Sequence, residues 1–397
     1  MRLPTYEDLS TEQDSVLFGA PYDGRVLITG APGTGKTVIA IYRAITALKQ
    51  ERKVQVVMYN KVLKSYTRGN LEDLPSDHIK TWHSWIFSWY KRVFRCKPPT
   101  LQGERYIYDW DKIFGEIASL KSDEQLRKLA WGHLIVDEGQ DFPAGFYNVA
   151  NLVIHLTGDR KVFGKMASGI TVSADDNQRM DEHSNSTIKD IKKRLNISDG
   201  EHFKLTENYR NTRPIAELAG TFYTGLQTGV PDLPEVDGEM PRVIFSDRLY
   251  ESVEFIKRYV RNNEHQTVGV FAPSRRVQDQ LGNRLKADEC LTVQKYSSGA
   301  AGPAGNADNL NLDDPGKVTV LCMQSCKGLE FDAVFIPELQ KYNPDASSDQ
   351  QNKMNFYVLS SRAREKLFFM ASDCDEKPEL MRLFPDEQSQ LITYENV

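Results

Sequence analysis

The eight residues 30–37, which read GAPGTGKT, constrain this chain more than any other segment. They fit the pattern G-x-x-x-x-G-K-[ST], whose glycines let successive backbone N–H groups converge on one anion. The run 25–29 before them is apolar enough for a buried strand, and the run 38–44 after them suits a helix. A strand, this loop and a helix in that order are typical of phosphate binding in an α/β sheet. The residues expected to contact the phosphates are Gly30, Ala31, Pro32, Gly33, Thr34, Gly35, Lys36 and Thr37.

Two side chains of this loop have chemical roles of their own. Lys36 is expected to reach the β- and γ-phosphates of a nucleoside triphosphate, for which we take ATP. The Thr37 hydroxyl is expected to bind Mg²⁺.

A second acidic motif follows the apolar run 134–136, which predicts a strand. Asp137-Glu138-Gly139-Gln140-Asp141 then stands where an open α/β sheet binds ligands, at the carboxyl end of a strand. Asp137 is suited to hold Mg²⁺ through water, and Glu138 is suited to orient or deprotonate the attacking water. Together the two motifs predict nucleoside triphosphate hydrolysis.

Composition sets wider limits. A length of 397 residues suggests two or three domains, and the net charge of −5 gives no overall attraction to nucleic acid. The five cysteines include no C-x-x-C pair, which favours a reducing, cytoplasmic setting over disulfides or zinc. No apolar stretch approaches the roughly 20 residues that span a bilayer, so no membrane partner is expected.

The ordered motifs resemble those of superfamily 1 DNA helicases of the UvrD/Rep/PcrA type. In the first half of the chain the similar segments are 9–13, 30–37, 56–61, 81–84, 137–141 and 171–178. The resemblance implies that Gln13 reads adenine and that Gln178 senses the γ-phosphate. It also implies contacts with single-stranded nucleic acid from Tyr59, Asn60, Lys61, Thr81, Trp82 and His83.

The resemblance continues in the second half, over segments 208–212, 327–332 and 357–364. It implies that Tyr209 stacks on the base, that Arg210 contacts the γ-phosphate and that Glu330 holds the ribose. It makes Arg362 an arginine finger, which completes the expected catalytic set of Lys36, Asp137, Glu138, Gln178, Arg210 and Arg362.

The chain departs from the helicase pattern at several points. Ala174 replaces the usual glycine of the third motif, and no Trp-Arg pair follows it. Gln324, in Cys-Met-Gln, stands where a Thr-x-His nucleic-acid contact is common, and it could still contact nucleic acid. The insertions are small: a helical insert covers about 85–130, and a large second auxiliary subdomain is missing.

We therefore predict an α/β protein with two tandem RecA-like domains, each a parallel sheet flanked by helices. The first domain is expected to span 1–202 and the second 203–397, with a short helix and a mobile end after residue 376. The helical spacing of Trp82, Trp85 and Trp89 favours a core position for them over a platform for bases.

The leading functional prediction is an ATP-dependent translocase or helicase acting on single-stranded DNA, with ATP hydrolysed between the two domains. By resemblance it runs 3′ to 5′, and RNA stays open as the substrate. The alternative is a nucleic-acid-sensing ATPase subunit of an anti-phage defence or repair complex that works beside a partner nuclease. The small insertions motivate this alternative, because a reduced motor can obtain strand separation from a partner.

Overall fold

The computed structural model describes residues 4–58, 73–102, 104, 106–178, 185–297, 305–342, 349–374 and 377–397. Contacts divide the chain into a first compact unit that ends at Thr206 and a second that runs from Glu207 to Val397. None of the helices in these ranges is long and apolar enough to cross a membrane.

The first unit is built on one sheet in which every pair of neighbouring strands is parallel. Parallel neighbours require long crossover connections, and helices provide them. The described strands are β1 (Arg25–Gly30), β2 (Val54–Met58), β3 (Ile79–Thr81), β4 (His133–Val136), β5 (Gly169–Ala174) and β6 (His202–Leu205). The described helices are α1 (Thr11–Gly19), α2 (Lys36–Lys49), α3 (Trp82–Phe94), α4 (Trp110–Ala118), α5 (Asp123–Leu129), α6 (Ala144–Thr157), α7 (Arg160–Phe163) and α8 (Ile188–Leu195).

The strand order β3-β2-β4-β5-β1-β6 places the phosphate loop after an inner strand. Strands β4 and β5 are buried along their whole length because side chains cover both faces of the sheet. One core lies on each face, formed largely by α2 on one side and by α3, α4 and α6 on the other.

Helices α3, α4 and α5 form the helical insert between β3 and β4. The rings of Trp85 and Trp89 stack at 5.5 Å, and Trp85 also stacks on Trp82 at 6.0 Å. All three indoles are at most 4% exposed, in agreement with the core position that their spacing indicates.

The second unit contains a seven-stranded sheet of order β13-β7-β12-β11-β8-β10-β9, again parallel between all neighbours. The two parallel sheets confirm the predicted fold class. The strands are β7 (Arg242–Ser246), β8 (Val268–Ala272), β9 (Thr292–Tyr296), β10 (Lys317–Cys322), β11 (Phe331–Ile336), β12 (Ala363–Ser372) and β13 (Thr393–Asn396). The described helices are α9 (Arg213–Thr221), α10 (Leu249–Asn262), α11 (Arg275–Lys286) and α12 (Asp349–Ser360).

Two segments lie elsewhere than the sequence indicates. Strand β6 was expected to open the second domain, but it pairs with β1 as an edge strand of the first sheet, so the compact units divide after Thr206. The expectation of a mobile end is wrong for β13, because it pairs with β7 from Thr393 to Asn396. Both are edge strands, which depend on a distant partner for their hydrogen bonds.

Candidate functional site

The phosphate loop connects β1 directly to the N-terminus of α2. Gly35 caps this helix with a φ of 87°, and a Cβ there would lie 2.3 Å from Gln13 Nε2. Only glycine therefore fits this position without a clash. The loop thus brings the first N–H groups of α2, with the positive end of the helix dipole, to one point where an anion can bind.

Two side chains close around this loop. Lys36 is 8% exposed, and its Nζ donates to the carbonyl oxygens of Gly30 at 2.7 Å and Ala31 at 2.9 Å. Gln13 donates from Nε2 to the Thr34 carbonyl at 3.2 Å, while its Oε1 accepts from the Ser10 N–H. A flexible ammonium bound to carbonyls can exchange them for phosphate oxygens without moving the backbone.

A hydroxyl and a carboxylate meet beside the loop. Thr37 Oγ1 donates to Asp137 Oδ2 at 2.9 Å, and Ser173 Oγ donates to Asp137 Oδ1 at 2.7 Å. Thr37 lies in the first turn of α2 and Asp137 follows β4, so the fold joins residues 100 positions apart. Hard oxygen ligands of this kind fit Mg²⁺, which takes one or two protein oxygens together with phosphates and water.

Burial, followed by the neighbouring Glu138, raises the pKa of Asp137 to about 6. Below that pH a proton should therefore compete with Mg²⁺ for Asp137. We expect the apparent Mg²⁺ affinity of the nucleotide-bound protein to fall about tenfold per pH unit below about 6. The measurement is a Mg²⁺ titration of the protein with a fluorescent ADP at several pH values.

Two controls isolate the carboxyl group. A titration of the free nucleotide corrects for protonation of its own phosphates. The Asp137→Asn variant should bind Mg²⁺ weakly with a flat pH profile, and an unchanged profile in that variant would assign the pH dependence to another group.

A chain of side chains connects the acidic motif to the loop after β5. Glu138 Oε2 accepts a hydrogen bond from Gln140 Nε2 at 2.6 Å, and Gln140 Oε1 accepts from the Asp175 N–H at 3.0 Å. Asp175 Oδ2 then accepts from Gln178 Nε2 at 2.7 Å. Gln140 thus orients the carboxylate of Glu138, and Asp175 of the third motif holds Gln140 in place.

The backbone also fixes Glu138. Its φ of 55° lies in the left-handed region, which non-glycine residues rarely adopt, and such conformations cluster at functional sites. The phosphate loop, Glu138 and Gln178 all follow the carboxyl ends of β1, β4 and β5, which are adjacent in the sheet. The fold therefore gathers the predicted ATP residues of the first unit at one edge.

In the second unit two arginines hold one carboxylate. Arg210 Nε donates to Glu330 Oε2 at 2.7 Å, and Arg364 donates to Glu330 Oε1. Burial alone would raise the pKa of Glu330, but the two guanidinium groups outweigh it and lower the pKa to about 2. Both oxygens of Glu330 are thus engaged by arginines, and a ribose hydroxyl would share an oxygen with one of them, since each carboxylate oxygen can accept two hydrogen bonds.

We expect Glu330→Gln to destabilise the second unit by about 3 kcal/mol, because it removes the carboxylate that pairs with the partly buried Arg210 and leaves Arg364 with Asp332 as its counter-charge. Chemical denaturation should show this loss at neutral pH. The loss should shrink as pH falls from about 4.5 toward about 2, because the lowered pKa means that protonation abolishes the pair there.

The matched control is Glu395→Gln, which removes an exposed pair with Arg242 at 3.7 Å and should cost well under about 1 kcal/mol. Equal stability losses in the two variants would contradict a special role for the Glu330 network.

The remaining predicted nucleotide residues of the second unit differ in exposure. Arg362 is 1% exposed and donates to the carbonyl oxygens of Val358 and Leu329. Tyr209 is 48% exposed and bonds Glu207. Tyr209 and Arg210 line a pocket of about 630 Å³, large enough for an aromatic base.

The predicted nucleic-acid contacts have mixed outcomes. Trp82 was expected to touch nucleic acid, but its indole is 3% exposed among core rings, so its burial does not fit a direct contact. Thr81 caps α3 and His83 is exposed in the first turn of that helix. Tyr59, Asn60 and Lys61 lie outside the described residues.

Gln324 is exposed and lines a pocket of about 440 Å³ with Ser274 and Arg275. Arg275 begins α11 just after β8, and sequence reasoning did not single it out. Reasoning from sequence also passed over Ser173, Gln140 and Asp175 as individual contributors. Gln140 stands inside the quoted acidic motif, whereas nothing in the sequence marks Ser173 as a partner of Asp137.

Comparisons with known protein families agree with the helicase resemblance of the motifs. Residues 304–373 match the family described as UvrD-like helicase C-terminal domain, and residues 9–157 match the family described as type III restriction enzyme, res subunit. The chain is therefore related to superfamily 1 helicases of the UvrD-like kind. This confirms the family resemblance that the motifs predict.

One curated relative of this helicase-like chain is the "Putative ATP-dependent DNA helicase R568" of Acanthamoeba polyphaga mimivirus. It is 26% identical over 257 residues, which are 59% of this chain and 34% of the relative. The chain thus spans about a third of that protein's length. Among solved structures, the C-terminal domain of a possible DNA helicase from Lactobacillus plantarum WCFS1 is 20% identical with a TM-score of 0.34. That match covers 47% of this chain and 97% of the other.

Proposed function

We infer that this chain is an ATP-dependent translocase or helicase that acts on single-stranded DNA. The observation that carries the inference is the bond from Thr37 to Asp137 beside the phosphate loop, because it joins the two halves of a nucleotide and Mg²⁺ site. Thr37 and Asp137 would hold Mg²⁺, which neutralises phosphate charge when bound.

The chain's own residues divide the work at this site. Lys36 exchanges the carbonyls of Gly30 and Ala31 for the β- and γ-phosphate oxygens. Glu138, oriented by Gln140, positions the attacking water and takes its proton. Gln178, bonded to Asp175, responds to the γ-phosphate. A shift of Gln178 then moves Glu138 through the hydrogen bonds of Asp175 and Gln140.

For the second unit we retain the roles implied by the family resemblance as proposals. Arg210 and Arg362 are phosphate ligands, Tyr209 contacts the base and Glu330 the ribose. Arg210 bonds Glu330 through Nε and the Ser361 carbonyl through Nη1, which leaves further guanidinium N–H groups for a phosphate. The ionised Glu330 thus positions Arg210 for that contact.

Single-stranded DNA as the substrate, a 3′ to 5′ direction and a cytoplasmic location are the finer parts of this proposal. The family match supports a nucleic-acid motor, and the relative named a DNA helicase favours DNA over RNA. Direction rests on the resemblance to UvrD-type helicases alone.

Steady-state ATPase activity tests the proposal. The purified chain is assayed alone and with single-stranded DNA, single-stranded RNA or duplex DNA. We expect stimulation by single-stranded DNA. Equal rates in all four samples would contradict a motor driven by single strands, and stimulation by RNA alone would assign the substrate to RNA.

The alternative is an ATPase subunit that senses nucleic acid beside a partner nuclease in defence or repair. It is favoured by the reduced insert, in which the described helices α3, α4 and α5 all lie between residues 82 and 129. A strand-displacement assay with a fluorescent duplex bearing a single-stranded tail separates the two. Robust unwinding by the chain alone would contradict the alternative, whereas ATPase stimulation without unwinding would support it.

A further inference from the structure

Helix α3 has an exposed stripe that the ATP site does not use. Its buried face carries the tryptophans, while His83, Phe87 and Lys91 recur every four residues on the exposed side. Arg95 continues this spacing as the exposed C-terminal cap of the helix. Residues four apart lie next to one another on a helix surface. The stripe therefore begins with aromatic rings and ends with two cations.

A pairing of two chain segments adds further rings to the start of this stripe. Thr100 and Tyr108 form an antiparallel bridge, and the Leu101 N–H donates to the Ile107 carbonyl at 2.9 Å. The Tyr106 ring, 57% exposed, lies 5.0 Å from the His83 ring. Tyr108 reinforces the arrangement through a 3.1 Å hydrogen bond between its hydroxyl and His83 Nδ1.

His83, which belongs to this group of rings, lies at the sheet edge that also carries the ATP site. His83 follows β3, so it lies beyond the carboxyl end of that strand. The phosphate loop and Asp137 lie beyond the same ends of β1 and β4 in the same parallel sheet. A ligand on His83 and Tyr106 would therefore share an edge with the ATP site of the same unit.

Charge favours a polyanion as that ligand. Residues 82–129 contain nine Lys and Arg against six Asp and Glu, whereas the whole chain carries −5. Among the described residues, neither Lys91 nor Arg95 makes an ion pair. Exposed aromatic rings followed by unpaired cations suit a single strand, whose bases stack while its phosphates bind cations.

We propose that Tyr106 stacks on a base of a single strand beside His83, whose contact the family resemblance already implies, and that Lys91 and Arg95 bind the phosphates of that strand. The proposal rests on the proposed function and extends it by assigning a strand-binding surface to the insert. A protein partner on the same rings is the competing occupant, and binding of a labelled oligonucleotide to variants of Tyr106 separates the two.

The probe is fluorescein-labelled oligodeoxythymidine, with binding to the full chain followed by fluorescence anisotropy. Tyr106→Ala should weaken binding about tenfold, within the range measured for loss of one stacked base. Tyr106→Phe should restore it, because the ring rather than the hydroxyl stacks. An abasic oligonucleotide of equal length should bind wild type and Tyr106→Ala alike, because it offers no base to stack.

The cations have a separate readout. Replacing Lys91 and Arg95 together by alanine should reduce the slope of log affinity against log salt by about 1.4, since each phosphate contact contributes about 0.7. Tyr250→Ala, which removes a tyrosine 59% exposed on α10, serves as the matched control and should change nothing.

The outcomes separate this proposal from the proposed function. Wild type that binds no oligonucleotide would overturn both. Wild type that binds, with Tyr106→Ala binding equally well, would overturn only the assignment to the insert and leave these rings to a protein partner. Equal losses on the abasic strand would overturn the stacking role of Tyr106.

Discussion

Replacing Glu138 by glutamine should lower ATP turnover by about 10²- to 10⁴-fold while ATP still binds, because the variant loses its general base. Glutamine has nearly the shape of glutamate and can keep the hydrogen bond from Gln140, but it cannot accept a proton from water. The measurement pairs steady-state ATPase rates with equilibrium binding of a fluorescent ATP. Retained affinity with lost turnover would place Glu138 in the chemical step.

The matched control is Glu124→Gln, which changes an exposed glutamate that pairs with Lys128 in the helical insert. Its ATPase rate should equal that of wild type. Normal turnover in the Glu138 variant would show that Glu138 is not the general base. The other buried carboxylates at this edge would then be the candidates for that role.

Replacing Lys36 by alanine should weaken ATP binding and remove hydrolysis. The ammonium is the charged side chain of the phosphate loop, and its removal leaves backbone N–H groups alone against the phosphates. We expect nucleotide affinity to fall by at least about 10²-fold, a loss comparable with removal of one preorganised donor from a catalytic site. Isothermal titration with ATP and Mg²⁺ measures the affinity directly.

Lys49→Ala removes an exposed lysine from the last turn of the same helix, far from the loop, and should leave binding intact. Thermal unfolding without nucleotide shows whether the Lys36 variant remains folded. Wild-type affinity in a folded Lys36 variant would contradict the assignment of residues 30–37 as the nucleotide site.

The signals that predict the first unit's site are local in the sequence. A glycine that must adopt positive φ, as at Gly35, and a lysine and threonine at fixed offsets from it are readable without knowing the fold. The same holds for Asp137 and Glu138, which directly follow an apolar strand. Side chains that act through a partner gave no such signal: Gln140 joins Glu138 to Asp175 across 35 positions.

In the second unit too, the sequence did not reveal which charged residues pair with one another. The motifs marked Arg210 and Glu330 as separate nucleotide contacts, but the fold pairs them across 120 positions. Trp82 is buried because rings of the insert, together with Phe142 and Phe146, enclose it, and a helical motif does not state which of its side chains faces inward. Burial and pairing depend on surfaces that come together only when the sheets form.

The sequence by itself determined the family resemblance, the parallel α/β class and the residues of the phosphate loop, because each depends on short segments whose backbone geometry is set locally. The tertiary structure alone decided that β6 and β13 complete different sheets, that Ser173 shares Asp137 with Thr37, and that Tyr106 meets His83. These contacts join residues far apart in the chain or across a turn. Their formation depends on how strands pair and helices pack, which no single segment encodes.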